Sequence, residues 1–207
     1  MLIPMWAQHK VKSNYEKYSQ VRSTSGKTGR EVAEEILHAN GIYDVDVVKG
    51  EGFLTDHYDP NKKVVCLSPA NFDRPSVAGT AIAAHEVGHA IQHQQGYAFL
   101  RFRTALVPLA NIGSSLSYII IMAGIFLTAL GSAFGSTALW IGAGLMSLAV
   151  LFSIVTLPVE FDASSRAMKQ ITALNIVNEK EYKHARKVLS AAAMTYVAAV
   201  SYTHLRA

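Results

Sequence analysis

From residue 104 to residue 159 the chain carries no Asp, Glu, Lys or Arg, a run of 56 residues. No other feature restricts the fold as sharply. A helix that crosses a bilayer needs about 20 apolar residues, so this run admits two spans and a turn. The GSAFGS segment at 131–136 interrupts the apolar pattern and marks the turn. The expected spans are 106–130 and 137–157. Pro108 sits near the start of the first and Pro158 ends the second, positions at which proline suits a helix boundary. The competing reading is a buried hairpin of a water-soluble protein. Core helices of this length seldom lack charge on every face, which favours the membrane. The whole chain is 16% charged against about 25% for soluble domains, and the deficit lies in this one run.

The charge around the run sets an orientation. All 19 Lys and Arg residues lie in the two flanks and none in the turn. Positive charge stays on the cytoplasmic side, so both flanks are expected there and the turn outside. The single cysteine, Cys66, rules out a disulfide framework and a cysteine-built zinc site, and suits a reducing compartment. A net charge of +4, spread along the chain, with no basic arm or recognition motif, gives no reason to expect nucleic acid.

The part before the run reads as a small α+β unit. Thr28 and Glu31 have capping-box spacing and open a helix through Val32, Ile36 and Leu37 that stops at Gly41. Three short apolar runs follow at 43–48, 53–57 and 63–67. Gly50 and Gly52 separate the first two, and Asp59, Pro60 and Asn61 the last two, the punctuation of hairpins. Ser76 is placed to cap a helix from Val77 to about Gln94, with Gly96 ending it.

That helix carries His85-Glu86-Val87-Gly88-His89, an HExxH pattern. Residues four apart share a helix face, so His85 and His89 can hold one metal ion. Glu86 then stands beside the open coordination position. There it can take a proton from a metal-activated water and return it to the leaving amine. Imidazole ligands suit one Zn2+ ion, with three protein ligands and one open position for catalysis. The alternative is a pair of ordinary histidines on a surface helix.

A third ligand is required. His93 lies about 12 Å along the axis from His85 at 1.5 Å per residue and cannot share its metal. Position 95, where one large group of zinc peptidases carries its third histidine, is Gln95. Glu160, at the cytoplasmic end of the second span, is the better candidate. A plain interfacial charge is the alternative there. Asp162 is the next candidate ligand, or a group that orients a histidine by accepting its free ring N–H.

The segments HEVGHAIQH, LTDHYDP, ALVPLANIGS and LPVEFDASSRA together make the chain resemble the neutral zinc metallopeptidases of the bacterial YugP type, over roughly residues 6–200. The resemblance implies a membrane-embedded, gluzincin-like peptidase in the bacterial plasma membrane. It implies His85, His89 and Glu160 as zinc ligands and Glu86 as the catalytic base. Better-studied membrane gluzincins place an Asp four residues after the ligand Glu, where this chain has Ser164. Family members usually begin and end with further spans. Here residues 1–7 are too short to cross a bilayer, and the tail from about Ser201 departs from the family pattern.

Several residues are weaker candidates. Strand 63–67 could be an edge strand that pairs with an extended substrate. Asp56, His57 and Asp59 form a polar cluster that reads first as a turn. Tyr196 and His184, on a C-terminal helix, could donate to the tetrahedral oxyanion. Lys183, Arg186 and Lys187 read as a solvated or lipid-headgroup face.

The expected fold is α+β, a mostly helical integral membrane protein formed as one domain over 1–207. A cytoplasmic α+β part with the HExxH helix covers 8–103, the two spans cover 104–159, and a third-ligand segment with a C-terminal helix covers 160–207. The expected function is zinc-dependent cleavage of peptide bonds in membrane or membrane-proximal proteins, with the bilayer and a protein or peptide substrate as partners. The alternatives are an inactive zinc-binding membrane adaptor and a metal hydrolase acting on a non-peptide bond.

Overall fold

The computed structural model describes the backbone of residues 2–204 and, Ser114 aside, the side chains of 5–194 and of 197. The elements run α1 (Leu2–Ser19), α2 (Gly29–Ala39), β1 (Asp46–Lys49), β2 (His57–Asp59), β3 (Val64–Leu67), α3 (Pro69–Asp73), α4 (Val77–Gln94), α5 (Ala98–Ala129), α6 (Phe134–Ala173) and α7 (Glu179–His204). The described chain is mostly helical, with one three-stranded sheet.

Local chemistry fixes the ends of the helices in the α+β part. Thr28 and Glu31 form the capping box, each side chain accepting from the other's backbone N–H. Gly41 follows α2 at φ +70°, the left-handed conformation that glycine adopts without penalty. The Ser76 hydroxyl accepts from the Gly79 N–H at 3.0 Å and starts α4. This helix has buried residues on every side, including Val77, Ala78, Ala81, Ala84, Val87 and Ile91. The core gathers around it. Ile36 and Leu37 come from α2, Val65 and Leu67 from β3, Ile171 from α6 and Val188 from α7.

The sheet corrects the strand reading in two ways. Its order is β1-β3-β2, with β1 parallel and β2 antiparallel to β3. Residues 64–67 thus form the central strand rather than an edge, and β2 is an edge. Gly50 is a close approach rather than a hairpin turn. Its N–H donates to the Leu67 carbonyl at 2.8 Å, and a Cβ there would come within 2.5 Å of Cys66 Sγ. The expected strand at 53–57 begins only at His57, because Gly52 (φ +92°) and Leu54 (φ +55°) turn the backbone first.

Helices α5 and α6 are both long and apolar enough to cross a membrane, with mean hydropathy 1.8 and 2.2 in their most apolar windows. Phe126, Phe134 and Trp140 on them are 65%, 77% and 79% exposed, unlike the core helices of a soluble protein. They pack against each other through small residues, as helices do where lipid removes the hydrophobic drive. A Cβ on Gly113 would stand 2.9 Å from the Leu145 carbonyl, and one on Gly142 would stand 2.5 Å from Ile121 Cγ1.

Pro158 does not end the second helix. It lies inside α6, as Pro108 lies inside α5. A proline in mid-helix removes one ladder bond and costs about 3 kcal/mol. Val159, Ala163, Ala167 and Ile171, each four residues on, are all 0% exposed, and burial of this stripe carries the helix past the break. At the far end, Glu181 of α7 accepts from the Thr24 N–H and hydroxyl, both at 2.7 Å, which ties α7 to the loop before α2.

Candidate metal centre

Helices α4 and α6 cross at Gly88. A Cβ there would lie 2.6 Å from the Ala163 carbonyl oxygen, so only glycine allows the two backbones this close. Gly88 sits between His85 and His89, and Ala163 sits three residues after Glu160. The crossing therefore brings the carboxylate to the histidines. The ligand atoms of His85, His89 and Glu160 all lie within 4.8 Å of one another. Glu160 Oε2 is 3.2 Å from His85 Nε2 and 3.7 Å from His89 Nε2.

A second layer of residues orients the rings. Gln92 donates through Nε2 to the Val159 carbonyl and to Asp162 Oδ2, both at 2.8 Å. Its amide oxygen is thereby turned to His89 Nδ1, 3.0 Å away. An amide oxygen only accepts, so the His89 proton sits on Nδ1 and the Nε2 lone pair faces Glu160. His85 Nδ1 lies 3.1 Å from Ser164 Oγ, and its Nε2 points the same way. The inner faces of two imidazoles and a carboxylate converge, and with each Nδ1 turned to its own partner the three groups can offer one ligand atom each to a cation. Two imidazole nitrogens and a carboxylate oxygen within 4.8 Å of one another are ligand types that zinc takes. The donor set fits zinc.

The electrostatics of the three groups are strongly coupled. Burial opposes a charge on His89, yet hydrogen bonding to Glu160 and the Glu86 charge outweigh it and raise its pKa. Burial also penalises a charged Glu160, but the hydrogen bonds from His85 and His89 hold it well below the usual carboxylate range. Glu86 differs. Burial pushes its carboxyl up, and the two histidines pull it back only in part.

Two cavities meet at the cluster. One, of about 490 Å³, is walled by β2, by the start of α5 and by His85, Glu86, His89 and Glu160. The other, of about 290 Å³, lies against α1 and α7 and reaches His85, Glu86 and Glu160. Arg103 of α5 enters the first cavity, with Nη1 3.6 Å from Glu160 Oε1.

Of the remaining candidates, Asp56 and His57 line the first cavity. Asp162 stands outside the ligand group and reaches His89 only through Gln92, because Gln92 occupies the space between them. His184 stacks on Tyr18 with ring centroids 4.7 Å apart and lines neither cavity at the cluster. Burial and the charges of Lys180, Lys187 and Lys17 lower its pKa. Tyr196 lies on α7 with its side chain outside the described residues. Asp56 accepts from Ser68 and Asn71, which anchors β2 at the cavity wall. Asp59 accepts from the Asn61 and Lys62 N–H groups, an ordinary turn. Lys183, Arg186 and Lys187 are exposed. Gln92, Ser164 and Arg103 escaped the sequence reading as site residues. Their spacings, three after His89, four after Glu160 and last before the charge-free run, were the available signals.

The family model described as "putative neutral zinc metallopeptidase" matches residues 1–206. The protein named "putative membrane protease YugP" from Bacillus subtilis (strain 168) is 46% identical over 197 residues, covering 95% of this chain and 85% of that protein. No solved structure matches the chain. A match across nearly the whole sequence, with a donor set fit for zinc at its centre, places this chain in the family described as putative neutral zinc metallopeptidases.

Proposed function

We propose that the protein is a zinc-dependent endopeptidase of the bacterial plasma membrane that cuts peptide bonds in membrane or membrane-proximal proteins. The convergence of three ligand atoms from His85, His89 and Glu160, within 4.8 Å and beside the buried Glu86, carries this reading. When bound, one Zn2+ supplies the Lewis acidity that polarises a carbonyl and acidifies a water.

The chain's own residues do the rest. Gln92 and Ser164 hold the two rings with their Nε2 atoms inward. Glu86, raised by burial, is suited to take the proton of the attacking water and pass it to the leaving amine. Edge strand β2 supports a peptide substrate. His57 and Tyr58 both line the larger cavity, although successive strand residues point to opposite faces. The cavity therefore runs along the strand's edge, where an extended peptide can pair by backbone hydrogen bonds. Helices α5 and α6 serve as the membrane anchor. Every Lys and Arg lies outside residues 104–159, which supports a cytoplasmic site.

The test combines metal content with turnover on a peptide panel, using detergent-purified full-length chain. Wild type and Glu86→Gln should each hold about one zinc. Glu160→Ala should lose most of it. Peptide cleavage should fall by at least about a hundredfold in Glu86→Gln. Cleavage that survives Glu86→Gln would remove Glu86 as the base. Ester turnover with every peptide intact would move the protein to a non-peptide hydrolase.

A further inference from the structure

The larger cavity reaches beyond the α+β part. Leu100, Arg103, Thr104, Val107 and Pro108 of α5 form one of its walls. Arg103 is the last charged residue before the 56-residue charge-free run, so Thr104, Val107 and Pro108 belong to that run. At 1.5 Å per residue, Val107 and Pro108 stand about 6 and 7.5 Å past Arg103 along the helix. The spacing 104, 107, 108 places the three on one helix face. Val107 is 38% exposed, so this end of the cavity is open.

The chemistry changes along the cavity. Its lining takes Asp56, His57 and Asn61 from β2 and its flanks, together with the residues of the metal cluster. At the α5 end the Thr104 hydroxyl donates to the Leu100 carbonyl at 2.9 Å, so that hydrogen is already used within the helix. Pro108 has no N–H to offer the Thr104 carbonyl. Beyond Arg103, which turns to Glu160, Val107 and Pro108 make that end apolar, with one backbone acceptor lacking its usual helical donor. A peptide arriving wholly from water gains nothing from a cavity end at the level of the hydrocarbon layer. A peptide partly embedded in the bilayer does.

We infer that the larger cavity is a lateral entry through which the site takes a lipid-embedded segment of its peptide substrate. The embedded side of the segment lies against Thr104, Val107 and Pro108, and the aqueous side runs along β2. This rests on the peptidase reading and on α5 crossing the bilayer.

Metal-chelating probes test it without substrate turnover. The cobalt-loaded full chain in lipid nanodiscs is titrated with acetohydroxamate and with octanohydroxamate, and binding is read from the visible cobalt band. Val107→Trp fills the apolar end. It should weaken octanohydroxamate at least tenfold, leave acetohydroxamate within twofold and keep the cobalt stoichiometry. Lipid partitioning of the long probe is the same for both proteins, so the ratio between the probes isolates the cavity. Thr104→Phe, one turn away on the same face, should repeat the pattern and guards against misfolding of one variant. Equal weakening of both probes, or no change in either, would overturn the inference while leaving the peptidase reading intact. Failure of both probes to bind cobalt-loaded wild type would remove the open coordination position, and both readings would fall together.

Discussion

Gln92 is 0% exposed and uses both ends of its amide. One end holds His89, and the other holds the Val159 carbonyl and Asp162. Gln92→Leu keeps much of the volume but leaves the buried His89 Nδ1–H without its acceptor. Groups that orient a metal-binding histidine are worth about 10–100-fold in metal affinity. Zinc affinity of Gln92→Leu, measured by chelator competition, should drop by that factor. Ser164→Ala, which removes one contact to the less buried His85, should sit at the mild end of the range. Unchanged affinity in Gln92→Leu would mean that packing alone sets the His89 ring. The sequence displayed the two histidines because helical spacing four apart is a pattern. It did not display Gln92, because a single glutamine carries no period and glutamines are mostly exposed. Ser164 was visible only as a departure from another group's aspartate, yet it meets the same His85 ring.

The crossing of α4 and α6 assembles the site, and Gly88 permits it. Replacing a helical glycine with alanine ordinarily adds up to about 1 kcal/mol of stability. Here the new methyl would stand 2.6 Å from the Ala163 carbonyl oxygen, and overpacking of that kind costs about 1–3 kcal/mol. Gly88→Ala should therefore lower the melting temperature and the zinc content together. Adding Ala163→Gly should give no rescue, because the obstructing atom belongs to the backbone. A rise in melting temperature with full zinc would show that the helices separate freely. Helix ends were legible at this scale, because Thr28, Gly41, Ser76 and Gly96 act locally. Strand partners were not. Three short apolar runs say that strands form, but pairing depends on non-local packing, and β3 inserts beside β1. The continuation of α6 past Pro158 was hidden for the same reason, since the stripe from Val159 to Ile171 has value only once α4 lies against it.

Helix α6 joins two worlds in one rod of 40 residues, about 60 Å at 1.5 Å per residue. Its first half is apolar and exposed. Its second half supplies Glu160 and then the buried Ile171. Because α6 is one continuous helix, a bilayer around its apolar half would hold the metal cluster close to the boundary where charge resumes. The charge-free run made two long apolar helices legible, because 56 residues without Asp, Glu, Lys or Arg leave room for little else. The continuity of a cavity from β2 onto α5 was not legible, because it depends on which face of α5 turns to the site. Sidedness gives the last prediction. Cys66 is the single native cysteine, so Cys66→Ser provides a blank background. Ala133→Cys, exposed at the turn between α5 and α6, should react with a membrane-impermeant maleimide in intact bacterial cells. Lys169→Cys, exposed on α6 about two and a half turns beyond Glu160, should react only after permeabilisation. The opposite pattern would put the metal site outside the cell. Labelling of both in intact cells would mean that α5 and α6 do not form a transmembrane hairpin.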